Sequence, residues 1–230
     1  MQLQLLAAAF AGLIIGNGVA WLVERQARTS ESPPAVSRTA LDWLPIGGAV
    51  IRRDWFTLLL ELLTAATAAQ LVGRFGWTVQ GGLAFVAGLV LIDTGAVDWR
   101  VKLIDVLLLL VATAVALATA PLRGLTWRLS LQGLGVGFAL FVFFFLLAKM
   151  MYPGKVAPFG LGDVYLGTFI GAVVGFRNLY PALFYGMALA GLASIALIMV
   201  LGYKKARYIA IPYGSYLCLG ALLALLFLEK

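Results

Sequence analysis

The chain reads as an all-α integral membrane protein, a polytopic bundle of about eight transmembrane helices. Three observations carry this reading. Hydrophobic residues make up 63% and charged residues only 12% of the 230 positions, with a mean hydropathy of +1.00, a balance that a soluble domain of this size cannot pack. The apolar residues come in continuous runs close to the ~20 residues that span a bilayer core. Within those runs apolar and polar residues do not alternate, so they are helices that satisfy their own backbone hydrogen bonds in lipid and not barrel strands.

The runs follow one another in order. Leu3 to Val23 has no basic residue before it and Glu24-Arg25 directly after it, which marks a retained helix and not a signal peptide. Segment 26–53 is rich in Ser, Thr and Pro. Next come Trp55 to Val72 and Gly82 to Val97, with Arg74 between them, and then Leu103 to Ala120, set off by Arg100 and Lys102. Arg123 and Arg128 precede Leu131 to Met151. The last three runs are Val164 to Tyr180, Pro181 to Tyr203 and Ile209 to Leu228, with Lys204, Lys205 and Arg207 ahead of the final one. Gly133 and Gly137, like Gly171 and Gly175, sit four apart on one helical face and allow close helix contact.

Basic residues orient the chain. With the N-terminus outside, the inner loops hold Arg25, Arg28, Arg38, Arg52, Arg53, Arg100, Lys102, Lys149, Lys155, Lys204, Lys205 and Arg207. The outer side holds only Arg74, Arg123, Arg128, Arg177 and Lys230. Twelve against five places residues 98–102 and 152–163 at the cytoplasmic face. The net charge of +7 is therefore an orientation signal, with the lipid bilayer as the partner it implies and no nucleic acid needed.

Histidine is absent and Cys218 is the single cysteine. This removes Ser-His and Cys-His chemistry, an internal disulfide and a cysteine zinc site, so no metal is expected. Cys218 reads as a small packing residue. Carboxylates remain. Glu24, Glu31, Asp42, Asp54 and Glu229 fall in loops or at helix ends, whereas Glu61, Asp93, Asp98, Asp105 and Asp163 lie in or beside apolar runs, where an ionisable group is a candidate for function. For each, the competing reading is a helix cap or an ion pair.

Asp98 and Asp163 stand out together. Asp163 follows Gly160-Leu161-Gly162, whose glycines permit tight backbone and close approach; Asp98 opens "DWRVKLID". Both fall at cytoplasmic helix ends. Two carboxylates close together in a low-dielectric site share a proton, so that one holds a water as general base while the other polarises a carbonyl. Such a pair hydrolyses a peptide bond without histidine, metal or cofactor, and it titrates as a unit.

These residues resemble a family. "GLGD", Gly160 to Asp163, is similar to the GxGD motif of intramembrane aspartyl proteases, and "LGDVYLGTFIGAVVG" resembles the corresponding stretch of type IV prepilin peptidases. "DWRVKLI" is similar to that family's other aspartate motif, with Arg100 two and Ile104 six positions after Asp98. Ile211-Pro212-Tyr213-Gly214 resembles the turn before its last helix, "GLIIGNGVAWLVERQ" its first helix, and "LELLTA", Leu60 to Ala65, the start of its second. The resemblance runs in order along nearly the whole chain. It implies N-terminal helices with a shortened cytoplasmic loop (26–53) in residues 1–80 and a GxGD aspartyl peptidase core in 81–230. It also implies a catalytic pair Asp98 and Asp163, supported by Gly160, Gly162, Arg100, Ile211, Pro212 and Gly214. The implied reaction is cleavage of the basic leader from type IV prepilin or type II secretion pseudopilin precursors, at the cytoplasmic face of the bacterial inner membrane. A second implied activity is methylation of the new N-terminal amine with S-adenosylmethionine.

Three departures narrow this. The family's cytoplasmic Cys-x-x-Cys module is missing from Gln26 to Arg53, Ile104 is followed by Asp105 where the family has proline, and Tyr165 replaces a lysine. The first bears most on methyl transfer. "LIDTGA", Leu91 to Ala96, looks like the Asp-Thr-Gly signature of soluble aspartic proteases, but here it ends an apolar helix. Asp93, five residues before Asp98, is on a different face unless the helix breaks at Gly95. Asp105 shares the face of Asp98 if the helix continues, and is a candidate modifier of the pair. Glu61 either lines a methyl-donor site, as the resemblance implies, or hydrogen-bonds a neighbouring helix. Two alternatives stand beside the peptidase: a non-catalytic prepilin-binding relative, and an ion- or proton-coupled carrier, for which no internal repeat is visible.

Overall fold

The computed structural model describes residues 2–30, 46, 49–50, 54–151, 160–206 and 211–228. Most of segment 26–53, with Asp42, Arg52 and Arg53, and residues 152–159 with Lys155 lie outside the described residues. The described residues form α1 (Gln2–Ser30), α2 (Trp55–Phe75), α3 (Val79–Val101), α4 (Val106–Ala118), a 3₁₀ turn (Pro121–Arg123), α5 (Trp127–Met151), α6 (Leu161–Leu201), a four-residue turn (Tyr203–Ala206) and α7 (Tyr213–Phe227). No strand is present among them.

Five helices are long and apolar enough to cross a membrane, and α4 and α7 are shorter apolar helices. This is a helical membrane protein, but not with the eight spans expected. Two segments are shorter for a local reason. Leu103 to Asp105 is not helical, and Asp105 caps α4 by accepting from Leu108 N at 3.0 Å. At the start of α7, Pro212 takes the cap position, where its missing N–H costs nothing. The third difference is a fusion: Val164 to Tyr180 and Pro181 to Tyr203 belong to the one 41-residue helix α6.

A straight helix of 41 residues would extend about 62 Å, twice a hydrocarbon core of ~30 Å. It does not stay straight. Gly175 leaves helical geometry at φ 75°, ψ 170°, a region open to glycine at little cost. Pro181, where the sequence reading put the break, keeps a φ compatible with a helix and stays inside the second arm. The contacts of the two arms run in opposite directions. The first arm starts with Gly162 beside Ile104 and ends with Val173 beside Arg123. The second returns along α7, with Ala182 at Gly220 and then Gly186 at Leu217.

Arg123 holds that turn. Its buried guanidinium donates to Val173 O at 2.8 Å, Ala116 O at 2.6 Å and Ala172 O at 3.3 Å, so it caps both α4 and the first arm of α6. Ser130 Oγ adds a bond to Ala172 O at 2.7 Å. Burial pushes the guanidinium down to about 10, which leaves it charged at neutral pH.

Small residues set the helix spacing. Gly133 packs backbone to backbone on Gly171, and Gly137 on Gly167, so that α5 lies directly on the first arm of α6. Gly175 also meets Gly133, its carbonyl carbon lying 2.8 Å from where a Cβ on Gly133 would sit, and it is at the same time the point where the chain turns. At the N-terminal pair, a Cβ on Gly12 would come 2.6 Å from Ala65 Cα, and one on Gly16 2.6 Å from Glu61 Cα, which brings α1 against α2. Phe169, Ile170 and Val173 of α6, Leu91 of α3 and Leu217 of α7 fill the centre.

Arg74 at the end of α2 donates to Leu226 O at 3.0 Å and Leu228 O at 2.8 Å, tying off α7. Exposed tryptophans mark both ends of the bundle: Trp55 and Trp99 at the Asp98 end, Trp77 and Trp127 at the Arg123 end. Paired belts of this kind belong at the two membrane–water interfaces.

Candidate active site

Asp98 lies in the last turn of α3, which ends when Lys102 turns into the left-handed region at φ 54° and donates its N–H to Asp98 O. A carboxylate at a helix C-terminus opposes the helix dipole. Donors from another helix offset this. Ser215, in the first turn of α7, gives Asp98 Oδ2 its backbone N–H at 2.7 Å, and the Ser215 hydroxyl lies 3.0 Å from the same oxygen. That hydroxyl is also 2.8 Å from Gly95 O, one turn back on α3. Asp98 is 6% and Ser215 5% exposed, so bulk water does not compete for these bonds.

Asp163 occupies the first turn of α6. Its Oδ2 accepts from Gly160 N at 2.9 Å, while Asp163 N donates to Gly160 O at 3.1 Å. Here the helix N-terminus favours the negative charge. The same polarity that opposes Asp98 supports Asp163.

Ile104 brings the two together. A Cβ on Gly162 would sit 2.8 Å from Ile104 Cβ, and one on Gly214 would sit 3.4 Å from Ile104 Cδ1 and 3.0 Å from Asp98 Oδ2. Glycine at both positions lets the starts of α6 and α7 close on one side chain next to Asp98. The two carboxyls are near enough for the charge of Asp98 to act on Asp163. Tyr213, one residue before Gly214, also feels Asp163.

The remaining residues singled out in the sequence fall in different places. Pro212 caps α7 and Ile211 precedes it, half-buried, so both belong to the turn that delivers Gly214 and Ser215. Arg100 faces away from the aspartates: it pairs with Asp54 at 3.7 Å and lies over the Phe56 ring at 4.3 Å, joining α3 to the start of α2. Asp105 does not share the face of Asp98. The helix stops at Lys102, and Asp105 is the exposed cap of α4. Glu61 is fully buried on α2, accepting from Asn17 Nδ2 of α1 at 2.9 Å and from Ile46 N at 2.6 Å.

Asp93 is on the unbroken part of α3, since Gly95 does not interrupt the helix. It is 8% exposed and hydrogen-bonds Gln26 of α1. Cys218 is buried against Gly95. Ser215 is not among the residues the sequence singles out, and Ile104 stands there only as the end of the Asp98 motif, with no role of its own. For Ser215 a signal existed, a hydroxyl directly after Ile-Pro-Tyr-Gly at a helix start, where donors point outward.

A groove of about 360 Å³ runs between α2, α3 and α7. Its walls are apolar, including Phe56, Leu63, Ile92 and Trp99, and Ser215 opens onto it. It therefore leads from the side of the bundle to the residue that holds Asp98. Among the described residues no cluster of His, Cys, Asp and Glu has the make-up of a metal site. No protein-family model, curated protein or solved structure matches the chain.

Proposed function

We propose that this protein is a membrane-embedded aspartyl endopeptidase that removes the leader from prepilin or pseudopilin precursors. One observation carries the reading: two carboxylates far apart in sequence converge at the same end of the bundle, each held by donors, with Ile104 wedged between their supporting glycines. In the proposed reaction one carboxylate takes a proton from water, which attacks the scissile carbonyl carbon. The other, protonated, donates to the carbonyl oxygen. On collapse the carbon–nitrogen bond breaks: the first carboxyl passes to the leaving amine the proton it took from water, and a hydroxyl of the tetrahedral intermediate gives its proton to the second carboxylate, which restores the single shared proton of the pair.

The apolar groove supports the substrate class, because a prepilin leader ends where an apolar helix begins. The basic-residue bias supports a site facing the cytoplasm of a bacterial inner membrane, with the N-terminus outside. Proteolysis by this route draws on no cofactor. Methyl transfer would draw on S-adenosylmethionine, and Glu61, the acid the resemblance offers for it, is engaged by Asn17 and Ile46.

The test is to incubate the detergent-solubilised protein with a prepilin encoded by the same genome and weigh the products. Cleavage at the leader boundary by wild type, and by neither Asp98→Asn nor Asp163→Asn, supports the dyad. A well-folded wild type that leaves the prepilin intact moves the reading to a non-catalytic prepilin-binding relative or to an ion- or proton-coupled carrier.

A further inference from the structure

We infer that Ser215 is a positioning residue that hydrogen-bonds Asp98 in both of its protonation states, letting Asp98 gain and lose a proton in place. The inference rests on the two-aspartate reading, in which each acid must pass through both states in every cycle.

The argument is one of donors and acceptors. The Ser215 hydroxyl carries a single hydrogen, yet two acceptors lie within reach, Gly95 O at 2.8 Å and Asp98 Oδ2 at 3.0 Å. With Asp98 ionised, the hydroxyl turns its hydrogen to Oδ2, beside the Ser215 N–H at 2.7 Å. With Asp98 protonated, the hydroxyl rotates to Gly95 O and its lone pair receives the carboxylic hydrogen. Neither state leaves a buried polar atom stranded, and a stranded one is costly. Alanine at 215 would keep the N–H and lose this exchange. Asp163 has a different arrangement: the Gly160 N–H on its Oδ2 can only donate and so suits the ionised form. The other titratable groups around Asp98 are Asp163 from α6, Tyr213 and Cys218 from α7, and Asp93 and Lys102 from α3 and its end.

The test compares full-length wild type, Ser215→Ala and Ser215→Thr in detergent by prepilin cleavage against pH and by infrared titration of protonated carboxyl bands. Asp98→Asn identifies the band that belongs to Asp98. Ser215→Ala should lower kcat about 10- to 100-fold, as loss of a partner behind a reacting group does, with KM within about twofold and the pH–rate profile displaced. Ser215→Thr should recover most of the rate. In the infrared arm, the Asp98 band should change frequency and midpoint in Ser215→Ala and return in Ser215→Thr. Unchanged kcat, pH profile and Asp98 band in Ser215→Ala would overturn the inference. If Ser215→Ala does not fold, a Ser215→Thr protein with wild-type thermal stability but lost activity and an altered Asp98 band also overturns it. The infrared arm needs no turnover. A wild type that cuts nothing sinks the peptidase reading, whereas an indifferent Asp98 band sinks the role of Ser215.

Discussion

Three aspartates near one end of the bundle differ in what surrounds them, and the difference predicts their roles. Asp98 is placed by Ser215 and Asp163 by the first turn of α6. Asp93 is turned to Gln26 of α1, and its Oδ1 has no partner among the described residues. Asp98→Asn and Asp163→Asn should therefore each reduce cleavage by on the order of 10³-fold or more, the scale of a lost acid or base. Asp93→Asn should retain most of the activity. Product mass over a time course decides between them, and a cutting Asp98→Asn enzyme would refute the pairing. Asp98 was legible because an acid beside an apolar run is conspicuous. Ser215 was not, because a serine costs little anywhere and gains meaning only from the helix it faces.

Two elements depend on backbone contact, and each can be tested separately. Gly171 lies on Gly133 with no room for a side chain, whereas Gly135 on the same helix α5 faces open space. Gly171→Leu should lower stability by about 3 kcal/mol or more, the upper range of overpacking. Gly135→Leu should change it little; thermal unfolding followed by tryptophan fluorescence would show the contrast. Arg123 serves the turn at Gly175, and Arg123→Met would leave the carbonyls of Ala116 and Val173 without their donor, at roughly 1–3 kcal/mol each. Equal thermal stability in wild type and Arg123→Met would contradict the capping role. The glycine spacing on α5 was visible in the sequence. Which glycine would turn the chain was not, because Gly171 and Gly175 differ in backbone angle and not in residue type.

For the whole molecule, the testable property is orientation. Cys218 is buried and unpaired among the described residues, so Cys218→Ala provides a background for single exposed cysteines. Leu122 and Leu103 are 59% and 55% exposed and lie at opposite ends of the bundle. In intact cells a membrane-impermeant maleimide should label Leu122→Cys, and should reach Leu103→Cys only after permeabilisation. The reverse pattern would put the N-terminus inside and the aspartates on the outer face.

The sequence by itself determined that this chain is helical and belongs in a membrane, and it singled out Asp98 and Asp163. Those properties follow from composition and from the rarity of acids beside apolar runs, both of which are local. The number of helices long enough to span, the turn at Gly175, the separation of Asp105 from Asp98 and the Ser215 contact were decided only in three dimensions. Each depends on which backbone meets which: a glycine becomes a hinge or a seam, and an acid a cap or a site, according to the neighbour that tertiary packing supplies.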